Sequence, residues 1–436
     1  MSRFDPSSEI GVSGLDHSYG HINEEFLPEL RGIRKYKKYE EMANNDAISG
    51  GMLFAVDSLA KQINWRVDQG EPTDEGAELA EFIDSCRNDM STSWNDTISE
   101  QLSFLKQGFS FHEIVYKKRD GNKSKFSDGK IGWKKLPVRS QDTLIDNWDI
   151  DETGGINGVT QIAPPDYRPR EIPMEKALLF RTTTAKNNPE GRSILRTGYR
   201  SYFFKTNIQN IEGTGIERDL VGLPVMYVPP EVLQGKTPEA VQAKAVYEKI
   251  ITNIRRDEQE GCLLPDIRDE KGTRRLTLEL LTSGGSRVFD TSAIIRRYDQ
   301  DLALANMANF LLLGTANVGS FALGKQLVDI FLLAVNGFLD SMAEVYNRFA
   351  IPRLLKLNGM KTENSPMLKH GGVQKTDLVA LGAFVQILNT LGIDMSDEFT
   401  SNHLKKLADL PTQEAEVEDE ETPEPNKTPE PTGDQL

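Results

Sequence analysis

SILRTGYRSYFFKTNIQNIEGTGIERDLV, residues 193–221, contains no proline and repeats apolar side chains at helical spacing: Ile194, Tyr199, Tyr202, Phe203, Ile208, Ile211 and Ile216. Gly213 and Gly215 weaken the pattern by about 1 kcal/mol each relative to alanine. One long helix is still predicted, with a bend allowed at the glycines. A second stretch of the same kind, FDTSAIIRRYDQDLALANMA, fills residues 289–308, with Asp290 or Thr291 placed to cap it. Between the two lies a small mixed insert. It has a strand at Leu223–Val228, a helix from Thr237 to Ile254, and short strands at Gly261–Leu264 and Arg275–Leu280. Thr237, Pro238 and Glu239 form a good helix start. Two long helices carrying a small domain between them suit an elongated subunit that buries its helices against copies of itself.

Working toward the N-terminus, residues 1 to about 40 are rich in glycine and charge, with the basic run Arg34-Lys35-Tyr36-Lys37-Lys38. This reads as an extended arm. From Lys38 the pattern turns helical through Leu53, Val56, Leu59, Ala60 and Ile63, and a strand follows at Ile63–Val67. Helices are predicted at Ala77–Arg87 and Trp94–Gln107, with Gly108 as a C-cap and an alternating strand over Phe109–Tyr116. Short strands follow at Trp133–Val138, Thr143–Trp148, Val159–Ala163 and Ala177–Arg181. Toward the C-terminus, residues 309–320 mix small, polar and glycine residues and read as a loop. A very long helix follows, Phe321 to Phe349, ending before Pro352. Helices at Thr376–Leu391 and Asp397–Leu407 come next, then a Pro/Glu/Thr-rich tail from Pro411 whose composition predicts disorder. The fold class is α+β and helix-rich.

The 436-residue chain carries a net charge of −15. Nine acids against Lys427 alone make the tail −8 and leave a body of about −7. Such a chain as a whole repels phosphates, which argues against a tight DNA binder but not against a protein that must let DNA slide past. The longest apolar-rich stretch, Phe321–Leu339, is broken by Lys325, Gln326, Asp329 and Asn336, so no membrane span is expected. The opening MSRFDPSSEIG has no apolar core of a secretory signal, which points to assembly in a cytoplasm. Cys86 and Cys262 support neither a disulfide framework nor a thiolate zinc site.

Catalytic patterns fail one by one. His112-Glu113 is not followed by the second histidine of HExxH. His17 and His21 lie in the predicted arm. Gly319 to Gly324-Lys325 approaches a phosphate loop, but Gln326 stands where a magnesium-holding Ser or Thr belongs. Gly213-Thr214-Gly215 lies inside a helical pattern, GxSxG is absent, and Asp299 and Asp301 are two acids among 66. The expectation is no enzyme, no cofactor and no metal.

Three segments resemble the portal proteins of tailed bacteriophages, in particular their Mu-like branch. The first is Phe180-Arg181, Gly191-Arg192-Ser193-Ile194-Leu195-Arg196, then Tyr199-Arg200 and Tyr202-Phe203-Phe204-Lys205. The second is Gly222-Leu223-Pro224-Val225. The third is Ile295-Arg296-Arg297-Tyr298-Asp299, then Leu313-Gly314 and Gly319-Ser320-Phe321-Ala322-Leu323-Gly324. The resemblance covers roughly residues 40–400.

It implies a ring, usually of twelve subunits, at one capsid vertex, through which double-stranded DNA is packaged and ejected. The implied parts are an N-terminal arm (1–39), a wing (40–190), stem helices (191–222 and 287–308), a clip (223–286), a channel loop (309–320), a long wing helix (321–359), a crown (360–410) and the acidic tail (411–436). The implied partners are further copies of the chain, the terminase large subunit, major capsid and scaffold proteins, and tail adaptors, with no membrane. The implied location is the portal vertex of the virion. The candidate DNA-facing residues are Asn309, Phe310, Leu311, Leu312, Thr315, Asn317 and Ser320, in a loop without Lys or Arg; the plainer reading of Phe310–Leu313 is core packing. Arg296 and Arg297 are candidate stem contacts, as intersubunit ion-pair partners or weak phosphate contacts. The alternative is another minor capsid or head-completion protein.

Overall fold

A computed structural model describes residues 9–373 apart from 145–146, 222, 254–267, 269–270, 273, 282–289 and 313–320. It divides into two units, Met1–Val373 and Gln374–Leu436. In the second, Ala383, Gln386 and Thr390 are described and are helical. The helices expected at Thr376–Leu391 and Asp397–Leu407 otherwise lie outside the described residues, as do the tail and the strand expected at Gly261–Leu264.

The first unit begins with α1 (Gly32–Asn45) and α2 (Ala47–Gln62), which meet at Asp46. The expected arm therefore becomes helical at Gly32, and the basic run lies on α1. Its periodicity explains this: Tyr36, Tyr39 and Met42 are three apart and all buried. After β1 (Trp65–Asp68) come α3 (Asp74–Asn88), α4 (Trp94–Gln101) and α5 (Ser103–Gln107). The caps are local and legible: Thr73 accepts from the Gly76 amide at 3.1 Å and Ser93 from the Asp96 amide at 3.0 Å.

The expected strand Phe109–Tyr116 divides into β2 (Phe109–Glu113) and β3 (Val115–Lys118). Ile114, fully buried, breaks the run by donating its amide to the Lys176 carbonyl at 2.8 Å. Next are β4 (Ile131–Lys135), β5 (Val138–Arg139), β6 (Trp148–Ile150), β7 (Ile156–Ile162), β8 (Pro169–Pro173) and β9 (Ala177–Arg181). Three small sheets result, ordered β9-β2-β5, β8-β7-β6 and β3-β4. The sheet around β2 separates two cores. In β9, Leu178 and Phe180 face the main core while Ala177 and Leu179 face a second one with Phe109, Phe111 and Trp148. A strand buried on both faces shows a continuous apolar run, as Ala177–Phe180 does.

α6 (Tyr199–Val221) passes through both glycines without a break. The insert follows, with β10 (Leu223–Tyr227), α7 (Pro238–Asn253) and β11 (Thr277–Leu281). β10 and β11 pair antiparallel from Leu223 opposite Leu281 to Tyr227 opposite Thr277. Thr237 caps α7 by accepting from the Ala240 amide at 3.2 Å. The chain returns through α8 (Thr291–Ala305), where Asp290 is the cap, accepting from the Ala293 amide at 3.0 Å.

α9 (Phe321–Val345) does not stop before Pro352. A π-helical turn, Tyr346–Ala350, leads into α10 (Ile351–Leu357). The Ile351 amide reaches back to the Tyr346 carbonyl, a wider loop than an α-turn. That widening makes room for the proline ring, which an α-helical turn would push against the carbonyl four residues earlier. Around Tyr346 gather Trp94, Trp133 and Phe180, with ring centroids 5.3, 6.3 and 6.0 Å away. Its hydroxyl meets the Gln101 amide. Finally β12 (Met367–His370) pairs with β1, so residues to Val373, which the sequence division placed in a crown, belong to the first unit.

Candidate functional site at the paired helices

α6 and α8 pack antiparallel. Phe204 stacks on Tyr298 at 6.4 Å, Lys205 pairs with Asp299, and Glu212 meets Thr291, so positions rise along one helix as they fall along the other. Gly198 lets them close at one end, where an added Cβ would come within 2.9 Å of a Leu302 methyl.

The Gly191–Arg196 element sets the start of α6. Gly191 (φ +53°) and Gly108 (φ +99°) lie back to back: a Cβ on Gly191 would be 2.3 Å from the Gly108 carbonyl oxygen, and one on Gly108 would be 2.5 Å from that of Glu190. Ser193 donates to the Lys106 carbonyl at 2.6 Å and accepts from the Leu195 amide at 3.1 Å. Leu195 is fully buried in the main core. Arg196 forks onto Glu25 at 2.6 and 2.9 Å, and this pairing raises the guanidinium pKa. Gly191 and Ser193 thus tie the root of α6 to residues 106–108, Leu195 to the main core and Arg196 to Glu25.

Lys205 completes the anchorage. Its Nζ lies 2.7 Å from Asp46 Oδ2 and 2.6 Å from Asp299 Oδ1, with 9% of the side chain exposed. Burial alone would lower its pKa, but the hydrogen bonds to Asp299 and Asp46 outweigh it and the ammonium is held above its ordinary value. Asp46 Oδ1 also caps α2, accepting from the Ser49 amide at 2.8 Å. One buried carboxylate therefore joins the α1–α2 elbow to the long helices. Asn306, the C-cap of α8, donates to Ser49 Oγ at 3.4 Å. Tyr202 donates to Glu41 at 2.9 Å, and burial followed by that carboxylate pushes the phenol up to about 12.

Away from this root the pair is bare. Phe203, Phe204, Ile211 and Leu304 are 45%, 41%, 69% and 68% exposed. Arg296 and Arg297 are both exposed, and among the described residues neither has an ion-pair partner; the Arg297 guanidinium lies 5.1 Å from the Tyr298 ring. Of the candidate loop residues, Asn309–Leu312 form a 3-10 turn. Phe310 packs on Phe331 at 4.7 Å and Leu312 against the main core, while Leu311 is exposed. Thr315, Asn317 and Ser320 lie outside the described residues. Among the described residues no group of His, Cys, Asp or Glu could hold a metal ion, and no helix is long and apolar enough to cross a membrane. Sequence reasoning missed Lys205 and Asp46. The signal was a lone cation after Tyr202-Phe203-Phe204, opposite an aspartate on the partner helix.

Residues 36–406 match the family model described as the portal protein of Mu bacteriophage. The chain belongs to this portal family. The portal family is a structural one. No curated protein matches this portal chain. Solved structures that match include the neck of a native gene transfer agent particle computed with C12 symmetry, at 11% identity over 86% of this chain and 94% of that one, with a TM-score of 0.48. The neck of an empty particle, computed with C6 symmetry, gives 11%, 86%, 94% and 0.49. An HK97-family phage portal protein from Corynebacterium diphtheriae gives 13%, 76%, 94% and 0.41.

Proposed function

We propose that this portal chain assembles, as about twelve copies, into a ring at one capsid vertex and acts as a passive conduit for double-stranded DNA. In this reading α6 and α8 are the stem, the insert is the clip, and the body with α9 is the wing. The segment 309–320 faces the channel, with Phe310 and Leu312 as its anchor and Leu311 as its exposed part. The chain has no catalytic role, the terminase large subunit supplies the motor, and capsid, scaffold and tail adaptor proteins dock in turn at the virion vertex. Assembly takes place in the host cytoplasm.

The observation that carries this reading is the α6–α8 pair, pinned at its root and leaving Phe203, Phe204, Ile211 and Leu304 exposed among polar side chains. A lone subunit leaves those aromatic and aliphatic side chains in water, and a neighbouring copy buries them. The acidic net charge supplies the rest, since phosphates slide past a wall that does not bind them.

Electron micrographs of the purified chain test it. Rings of about twelve subunits with a hole wide enough for duplex DNA, lost on Phe203→Asp with Phe204→Asp, are expected. A chain that stays monomeric at every concentration, with and without capsid protein, would refute it.

A further inference from the structure

The chain is acidic, but one hairpin is not. Residues 115–135, comprising β3, β4 and their loop, hold eight Lys and Arg against Asp120 and Asp128, a net +6 within a chain of −15. The two innermost cations are already neutralised. Lys117 pairs with Asp89 at 2.9 Å, and Arg119, with 3% of its side chain exposed, pairs with Asp128 at 3.1 Å. Arg119 also donates to Ser85 Oγ at 2.9 Å and lies against the Phe82 and Phe126 rings.

These contacts give the loop one shape. Asp89 holds its far side by accepting from Ser124 Oγ at 2.6 Å and the Lys125 amide at 2.9 Å. The remaining six lysines are 118, 123, 125, 130, 134 and 135. Among the described residues none of them has an ion-pair partner, and Lys118, Lys123, Lys125 and Lys130 are exposed. Within the hairpin the carboxylate left against them is that of Asp120, which accepts from the Asn122 amide at 3.1 Å.

We infer that this hairpin is a contact for the phosphate backbone of a nucleic acid duplex, read without regard to sequence. Two features favour phosphate over an acidic protein surface. Lysine is depleted from protein interfaces, which are built around buried aromatic or apolar anchors. Here the one apolar side chain at the tip, Phe126, is 36% exposed and already covered by Arg119. Flexible ammonium groups on a preshaped ribbon, by contrast, are what phosphate neutralisation uses. DNA is also the cargo of the proposed portal function, but this inference rests on the hairpin alone.

Fluorescence anisotropy of a labelled random-sequence duplex with the full chain, across a salt series, tests it. Replacing Lys118, Lys123, Lys125 and Lys130 by Gln is expected to flatten the log K against log salt slope by about 3–4 units and to weaken binding at low salt at least about tenfold. Removing the same number of charges at Lys37, Lys236, Lys356 and Lys361 is expected to change neither. An equal loss in both variants, or no duplex binding by the native chain at low salt, overturns the inference. So does binding of a polyglutamate peptide in place of duplex, which assigns the hairpin to an acidic protein. Rings that form although the hairpin ignores DNA would sink this inference and leave the portal reading intact. A monomer that binds duplex through these lysines would do the reverse.

Discussion

The ammonium of Lys205 on α6 lies 2.6 Å from the Asp299 carboxylate on α8, and the same ammonium reaches Asp46 at the α1–α2 elbow. One ammonium thereby ties both long helices to the body, beside the Tyr202–Glu41 and Asn306–Ser49 contacts. Lys205→Met strands two carboxylates, one of them fully enclosed, and is expected to cost about 3–5 kcal/mol, since removing one partner of a buried pair leaves the other uncompensated. Asp299→Asn keeps the Asp46 contact and should cost less. Urea titrations of the two variants compare them directly.

His112 is completely buried, donates from Nδ1 to the Leu136 carbonyl at 2.9 Å and packs edge-on against Phe180. Burial, aided by the Arg139 charge and opposed by the Leu136 carbonyl, lowers its pKa to about 4. The unfolded imidazole takes its proton near pH 6.5 while the folded one does not, so stability is full above about 6.5 and falls as pH drops toward 4. The loss between pH 7.5 and 5 is expected to be roughly 2 kcal/mol for this group. His112→Phe should remove that part of the pH dependence of the urea midpoint; an unchanged dependence would place its origin elsewhere.

Asn358 uses its side-chain amide as a strand would use its backbone. Oδ1 accepts from the Ile131 amide at 2.7 Å, and Nδ2 donates to the Ile131 and Leu354 carbonyls, both at 2.9 Å. Asn358→Ala leaves the start of β4 without these partners and is expected to cost about 1–3 kcal/mol. Hydrogen exchange at Ile131 should accelerate, with the amides of β12 unaffected.

Phe310 packs on Phe331, whereas its neighbour Leu311 is 36% exposed with one methyl near Gly51. Phe310→Ala is expected to lower stability by about 2 kcal/mol, because its ring leaves an apolar contact. Leu311→Ser should cost less, about 1 kcal/mol, and, if the segment faces the channel, should alter DNA retention without affecting ring assembly. A reversed ranking in thermal unfolding would place the segment the other way round.

Much of this was legible in advance. The two long helices, the insert between them, the Asp290 and Thr237 caps and the Ala177–Arg181 strand all follow from spacing and composition, because each is decided within a few residues. What failed depends on distant partners. Pro352 reads as a stop because the sequence does not show a π-turn opening to receive it. The basic run reads as an arm because the burial of Tyr36 and Tyr39 is supplied by residues far along the chain. The hairpin lysines vanished into a bulk charge of −15, an average that conceals local sign. Phe310 was ambiguous for the same reason: a short apolar run does not say which side chain meets Phe331.

The pairing of β10 with β11 reaches beyond stability. Tyr227 and Thr277 face each other, so all that lies between them leaves and returns at a single doorway. The insert is thus a cassette on a fixed socket. Its length and surface can be exchanged, by evolution or by grafting, while the two helices that carry it keep their register.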